Sequence, residues 1–189
     1  PSWLSVTDAG DGTATLAGTP LNADVGDNSV VITVTDTAGA TGSETFTVVV
    51  ANTNDAPTLA TAQADASAAE DAAYSLDVSG NFADVDVGDT LSYTATGMPT
   101  IMTMSTAGVL SGTPVNADVG VYTVVVTATD GTASVTDTFD VTVTNTNDAP
   151  TLATAQADAS TAEDALYTLD VSGNFADVDV GDTLSHSAT

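Results

Sequence analysis

The sequence has no lysine and no arginine, and its 26 acidic residues face a single histidine, for a formal net charge of −26. The carboxylates therefore have no Lys or Arg partner in their own chain. Their mutual repulsion has to be relieved by solvent, by salt or by bound metal cations. The same deficit argues against nucleic acid as a partner, because phosphate recognition relies on Lys and Arg. Anionic membrane surfaces are disfavoured for the same reason.

Cysteine is also absent, which excludes disulfides, zinc–thiolate sites and thiol nucleophiles. No apolar run approaches the ~20 residues of a membrane-spanning helix, so we predict no membrane insertion. The sequence shows no Ser-His-Asp set, no nucleotide-binding loop and no zinc motif. We therefore expect no catalytic residues, no organic cofactor and no enzymatic activity. The hydrophobic content of 42% is nevertheless sufficient for a folded core.

A long internal repeat dominates the sequence. Residues 57–96 and 150–189 differ at only five of forty positions, and Pro150 follows Pro57 by 93 residues. A second pair of segments, 16–36 and 110–130, recurs at an offset of 94. The sequence thus predicts one complete repeat between two half repeats.

These repeats divide the chain into five predicted parts. We expect the chain to be a window of a longer tandem array, because half a domain cannot bury its own apolar face. The alternative is that the last part of one molecule completes the first part of the next and so builds a filament. The predicted parts are the C-terminal half of a repeat (1–51), a linker (52–56), a complete repeat (57–144), a second linker (145–149) and the N-terminal half of a further repeat (150–189).

Apolar residues alternate with a period of two, which indicates β-strands. Tyr122, Val124, Val126 and Ala128 fall on one face of "VYTVVVTATD", and Phe139, Val141 and Val143 on one face of "TDTFDVTVTNT". About seven such strands in roughly 90 residues, punctuated by turn residues, predict an all-β fold. We expect tandem Greek-key β-sandwiches of cadherin or immunoglobulin type, with the Thr-rich faces solvated.

The segments "GTP…NADVG…YTVVVTATDG" and "TDTFDVTVTNTNDAP", together with "PSWLSV" before "LAGTP", resemble bacterial cadherin-like tandem repeats. The resemblance is to the dystroglycan-type cadherin-like or putative Ig repeats of large surface adhesins, including RTX-type adhesins. It covers the whole chain and implies a secreted or surface-displayed rod stiffened by calcium. The implied partners are neighbouring repeats, other copies of the chain, glycans or other cell-surface proteins.

The resemblance also implies where calcium binds. The linker "NTNDAP" matches the cadherin DxNDNxP linker, "FADVDVGD" matches the DxD motif, and "AAEDAAY" holds the glutamate near the start of a repeat. The DRE segment of the family falls on "STAG" at 105–108, which lacks two of its carboxylates, so we expect one or two ions per junction. The implied ligands are Asn52, Asn54, Asp55, Asp84, Asp86 and Asp130 at the first junction, and Glu70, Asn145, Asn147, Asp148, Asp177 and Asp179 at the second.

Calcium also follows from the chemistry of these residues. It takes about 6–8 oxygen ligands from carboxylates, amides and backbone carbonyls, and it relieves repulsion among converging carboxylates. Four further residues rank lower, as secondary ligands or solvated turn residues: Asp71, Asp89, Asp164 and Asp182.

We therefore predict a calcium-rigidified structural repeat of an extracellular bacterial adhesin or surface fibre, which holds successive domains in an extended rod. One alternative is a subunit of an extracellular filament in which terminal half-domains complement neighbouring copies. Another is a carbohydrate-binding module with Trp3, Tyr93 and Tyr122 as its aromatic platform, although these residues lie on predicted inward faces.

Overall fold

The computed structural model describes residues 1–189 and is all-β, as predicted. Its helical segments are three 3-10 turns, at Asn22–Asp24, Ser79–Asn81 and Asn116–Asp118. None of them is long and apolar enough to cross a membrane. The strands are β1 (Leu4–Asp8), β2 (Ala14–Gly18), β3 (Gly26–Thr35), β4 (Thr41–Val50), β5 (Thr58–Leu59), β6 (Ala66–Ala69), β7 (Tyr74–Asp77), β8 (Phe82–Ala83), β9 (Ser92–Thr96), β10 (Thr103–Met104), β11 (Val109–Gly112), β12 (Gly120–Thr129), β13 (Ser134–Thr144), β14 (Thr151–Leu152) and β15 (Phe175–Ala176).

The chain divides into two compact units, and the first is built on two antiparallel hairpins. In one hairpin β1 pairs with β2, and in the other the long strands β3 and β4 pair along their whole length. A short ladder of β5 with β8 completes this unit. The unit comprises Pro1–Ala60, Phe82–Ser92 and Ala128–Val135.

The second unit contains the larger core. Strands β10, β11 and β7 form an antiparallel sheet in that order. A second sheet has the order β6-β13-β12-β9, in which β6 runs parallel to β13. The buried apolar residues between them include Val78, Met102, Leu110, Val124, Val126, Phe139, Val141 and Val143. The unit comprises Thr61–Asn81, Tyr93–Thr127 and Thr136–Thr189.

The predicted strand faces are confirmed in β12 and β13. Val124, Val126 and Ala128 are completely buried, and so is Val141. The alternate positions of both strands are exposed or half-buried, and most of them carry threonine. This pattern is that of a sheet with one face on a core and one toward solvent.

Residues 150–189 form little regular structure. Their strands are β14 and β15, which pair with each other over two residues each. Most of their side chains are exposed, including Leu166 at 93% and Val180 at 95%.

Candidate metal centres

Each "NTNDAP" linker is held by the DxD turn that follows it in the chain. In both turns the first aspartate accepts a hydrogen bond from the amide two residues later, the local pattern that favours Asp in turns. The second aspartate accepts a hydrogen bond from a backbone amide of the linker. The amide of Asp55 donates to Asp86 Oδ2 at 2.7 Å, and the amide of Asp148 donates to Asp179 Oδ2 at 2.8 Å.

The first cluster gathers oxygen-bearing side chains from four stretches of the first unit. Carboxylate oxygens of Asp84, Asp86 and Asp89 lie within 4.8 Å of one another. The Asn54 amide links the linker to the end of β12, because it donates to Asp130 Oδ2 at 3.0 Å. The cluster consists of Asn22, Asn54, Asp55, Asp84, Asp86, Asp89 and Asp130.

Two buried oxygens in the first cluster have no hydrogen-bond partner, Asp84 Oδ2 and Asp86 Oδ1. Asp86 is only 4% exposed. A buried carboxylate oxygen without a donor is costly, and native proteins rarely leave one unsatisfied. The chain has no Lys or Arg that could supply the missing charge. These oxygens therefore fit a bound hard cation.

Electrostatics within the first cluster oppose ionisation of one member and favour ionisation of another. Desolvation raises the pKa of Asp89 above its ordinary value of 3.8, and the carboxylates of Asp86, Asp84 and Asp130 raise it further. In contrast, hydrogen bonds from the amides of Ala133 and Thr132 lower the pKa of Asp130. Asp130 therefore stays ionised to lower pH than an ordinary aspartate, whereas the ionised form of Asp89 is destabilised by the carboxylates around it.

The second cluster lies in the second unit and adds a buried glutamate. Glu70 is 1% exposed, and its Oε1 accepts a hydrogen bond from the amide of Thr146 in the linker at 2.7 Å. Its other oxygen, Oε2, is buried without a partner. Asp177, Asp179 and Asp182 repeat the close triplet of the first cluster. The cluster consists of Glu70, Asn116, Asn145, Asn147, Asp148, Asp177, Asp179 and Asp182.

The Asn145 amide lies between two of these carboxylates. With its nitrogen directed at them it donates to Glu70 Oε1 at 3.0 Å and to Asp179 Oδ1 at 3.2 Å. With its oxygen directed at them, three oxygens meet at one point, which only a cation would stabilise. Asn145 can thus occupy the same place with or without metal by turning its amide.

The predicted site residues fall into two groups of contacts. At the first linker Asn54 contacts Asp130, and Asp55 contacts Asp86, which is itself bonded to Asp84, whereas no hydrogen bond joins Asn52 to this cluster. At the second linker Glu70, Asn145, Asp148 and Asp179 are joined directly or through the linker backbone. Asn147 donates to the carbonyl of Asp148 at 2.7 Å, as Asn54 does to the carbonyl of Asp55.

Sequence reasoning missed one contributor to each cluster, the asparagine of the "NADVG" turn. Asn22 Nδ2 donates to Asp55 Oδ2, and Asn116 Nδ2 donates to Asp148 Oδ2, both at 2.7 Å. The oxygen of the Asn116 amide is buried without a partner. The recurrence of "NADVG" at 22–26 and 116–120 was the available signal.

The "STAG" segment has a different role from the one that the cadherin pattern implies. Residues 105–108 close the β10–β11 hairpin, since the amide of Gly108 donates to Ser105 O at 3.0 Å and the amide of Ser105 donates to Val109 O at 2.9 Å. The segment that contacts each linker aspartate through an asparagine is a 3-10 turn, which holds Asn22 at the first linker and Asn116 at the second.

The aromatic residues do not form an exposed platform. Tyr93 is 6% exposed and its hydroxyl donates to Ser79 O at 3.1 Å. Trp3 and Tyr122 are half-buried, and the indole Nε1 of Trp3 donates to Asn28 Oδ1 at 3.3 Å. Their burial fits the inward faces that the strand pattern predicts.

The strands and the repeated oxygen-rich clusters define a repeat protein of the immunoglobulin-like or cadherin-like β-sandwich class. The chain belongs to the putative Ig domain family (He_PIG), whose model matches residues 1–51 and 56–144. Immunoglobulin-like domains of this kind are typically non-enzymatic. No curated protein sequence matches the chain significantly.

Several solved structures resemble parts of the chain. The cadherin domains 1–4 of protocadherin gamma B7 share 20% identity over 78% of this chain and 40% of theirs, with a TM-score of 0.47. The SusE-like surface-located polysaccharide-binding protein BT4661 of Bacteroides thetaiotaomicron shares 17% over 75% of this chain and 32% of its own, with a TM-score of 0.39.

A further similar structure is the endo-fucoidan hydrolase MfFcnA4 of glycoside hydrolase family 107. It shares 26% identity over 77% of this chain, with a TM-score of 0.42. The chain spans only 22% of that protein. None of these likenesses bears on what this chain binds.

Proposed function

We propose that the chain is a calcium-rigidified structural repeat of an extracellular bacterial adhesin or surface fibre, without enzymatic activity. The observation that carries the proposal is the set of buried, unpartnered carboxylate oxygens in both clusters, on Asp84, Asp86 and Glu70. All candidate ligands are carboxylate or amide oxygens, the donor set that calcium prefers over softer metals. With calcium bound, each linker would be fixed to the turns around it.

The lack of basic residues explains why a metal is required for stiffness. Without a cation, repulsion among the carboxylates works against the hydrogen bonds that hold each linker to its DxD turn. Extracellular calcium modules bind with dissociation constants of about 10⁻⁴–10⁻³ M. Such sites fill outside the cell and stay empty in cytosol, which is why we place the protein at the cell surface or in secreted form.

Thermal unfolding with and without calcium tests the proposal. A site with a dissociation constant a hundredfold below the calcium concentration adds about 2.7 kcal/mol to the free energy of unfolding. We therefore expect the melting temperature to rise by many degrees in 10 mM calcium and to fall again with chelator. Identical melting curves with calcium and with chelator would contradict the proposal.

A matched pair of glutamate substitutions separates the metal site from general charge effects. Glu70→Gln keeps the shape of a buried side chain but removes its charge, so the calcium affinity of the second cluster should fall about tenfold or more. Glu44→Gln removes one charge from an exposed position of β4 outside both clusters and should leave calcium binding unchanged. Calorimetric titration with calcium measures both.

A further inference from the structure

A strand near the start of residues 57–144 pairs with the strand at their end, and the two run parallel. The ladder of β6 with β13 extends from Ala66 opposite Val141 to Ala69 opposite Thr144. β6 lies at the edge of its sheet, so β13 is its only strand neighbour there. The two ends of this stretch of chain are therefore joined directly to each other.

Hydrogen bonds extend this contact beyond the N-terminal end of the ladder. The amide of Gln63 donates to Asp137 Oδ2 at 2.7 Å, and the amide of Asp140 donates to Asp65 Oδ1 at 2.9 Å. Asp137 is only 6% exposed, so its bond to Gln63 is shielded from water. The contact thus begins at Gln63, before β6 itself.

Further bonds extend the contact beyond the C-terminal end of the ladder. The amide of Glu70 donates to Thr144 O at 3.1 Å, and Thr144 Oγ1 donates to Ala68 O at 3.3 Å. Thr146 donates twice, from its amide to Glu70 Oε1 at 2.7 Å and from its hydroxyl to Glu70 O at 3.3 Å. We call residues 63–70 and 137–146, with the bonds between them, the terminal seam.

The direction of the two strands decides how tension along the chain would act on the terminal seam. The chain continues before Gln63 and after Thr146, so a pull enters at the first residue and leaves at the second. Because β6 and β13 are parallel, these two residues lie at opposite ends of the seam. The pull therefore slides one strand along the other and stretches all the hydrogen bonds between them together.

The composition leaves no covalent alternative for resisting tension. The chain has no cysteine for a disulfide and no lysine for an isopeptide cross-link. Resistance to tension has to come from noncovalent bonds that break together, since each of them contributes only about 0.5–1.5 kcal/mol.

We propose that residues 57–144 carry tension along the chain, and that the terminal seam is the contact that resists it in shear. This mechanical role goes beyond calcium binding and does not depend on it, because protein groups alone form the bonds of the seam. Glu70 connects the two features, since it belongs both to the seam and to the second cluster.

Pulling the full-length chain in two directions tests the proposal, because handles can be attached through introduced cysteines. Handles at Ala62→Cys and Ala149→Cys load the seam from opposite ends, whereas handles at Ala62→Cys and Thr136→Cys peel it from one end. All three positions are exposed. In chelator we expect the unfolding force to be at least about threefold higher in the first direction, because several hydrogen bonds share the load there. Equal forces in the two directions would overturn the proposal, whatever the response of the melting temperature to calcium.

A matched pair of double variants tests whether the seam bonds themselves resist the force. Asp65→Ala with Thr144→Val removes one seam bond on each side of the ladder, and both residues are exposed, so the core is untouched. The control, Asp158→Ala with Thr94→Val, makes the same chemical changes at exposed positions outside the seam. With handles at residues 62 and 149, the unfolding force should fall in the first variant and stay at the parental value in the second. An equal force for the two variants would contradict the role of the seam.

Discussion

Asp86 and Glu70 show at the scale of single residues why the clusters fit a cation. Each is almost completely buried. One of its carboxylate oxygens accepts a hydrogen bond from a backbone amide of the linker, and the other is buried without a hydrogen-bond donor. In most proteins an arginine or lysine would fill that role. Here no such residue exists, so the unsatisfied oxygens persist unless a metal binds.

Asp89→Asn should have opposite effects with and without calcium. Its neighbours raise the pKa of Asp89, so removing its charge relieves repulsion in the metal-free protein. We expect a rise in melting temperature of roughly a few degrees in chelator, and a loss of calcium affinity at the first cluster. Asp27→Asn removes an equal charge from β3 outside the cluster and serves as the control. A change of the same sign in both conditions would contradict the cation-site interpretation.

At the scale of elements, the clusters depend on short turns more than on strands. The 3-10 turns Asn22–Asp24 and Asn116–Asp118 have the same architecture. In each, the aspartate side chain accepts a hydrogen bond from the backbone amide of the residue before the turn. That bond leaves the asparagine free to reach the linker. Asp24 and Asp118 therefore stabilise the turns from which the two asparagines reach the linkers.

Asn116→Ala should destabilise the protein more than Asn22→Ala. Both amides donate to a linker aspartate, but the bond from Asn116 is partly buried and that from Asn22 is exposed. A hydrogen bond to a charged group contributes about 1.5–3 kcal/mol when shielded, and solvent reduces that value. Urea unfolding in chelator measures the difference, and a larger loss for Asn22→Ala would contradict it.

Aligned core positions should respond unequally to truncation. Val126→Ala removes two methyl groups from a completely buried site and should cost about 2 kcal/mol or more. Ile32→Ala removes more atoms at the aligned position of β3, but Ile32 is half-buried, so a smaller loss is expected from the isolated chain. Equilibrium unfolding in urea compares the two variants.

For the whole molecule, the charge of −26 without Lys or Arg makes acidity an important variable. The pKa of Asp89 is raised above 3.8 in the folded protein, so on acidification Asp89 takes up a proton in the folded chain before it does in the unfolded chain. The stability of the calcium-free protein therefore rises as the pH falls toward 3.8. The lowered pKa of Asp130 acts oppositely, since its contribution is present above pH 3.8 and is lost as the pH falls through the lower folded pKa.

Acidification from pH 7 toward pH 3.8 should therefore raise the stability of the metal-free protein through Asp89, while Asp130 is still ionised. Calcium competes with protons for the same oxygens, so its stabilising effect should disappear over the same range. Melting temperatures from pH 7 to pH 3, with calcium and with chelator, should converge on acidification. Two parallel curves would show that the clusters do not bind calcium.

Much of the architecture follows from local patterns. The period of two in "VYTVVVTATD" predicts the buried face of β12 because a strand that faces a core alternates its side chains. Family membership as an immunoglobulin-like repeat likewise agrees with the predicted resemblance. The division into repeats, the calcium ligands and the adhesin role stay predictions, which the experiments above test.

The sequence by itself determined the fold class, the repetition and the charge, because each follows from residue order and composition alone. Only the tertiary structure decided which oxygens lack partners and that Asn22 and Asn116, rather than "STAG", reach the linkers. It also decided that the aligned faces of β3 and β12 differ in burial. The physical reason is that partnering and burial depend on residues far apart in the chain, such as Glu70 and Thr146, whose meeting no local pattern encodes.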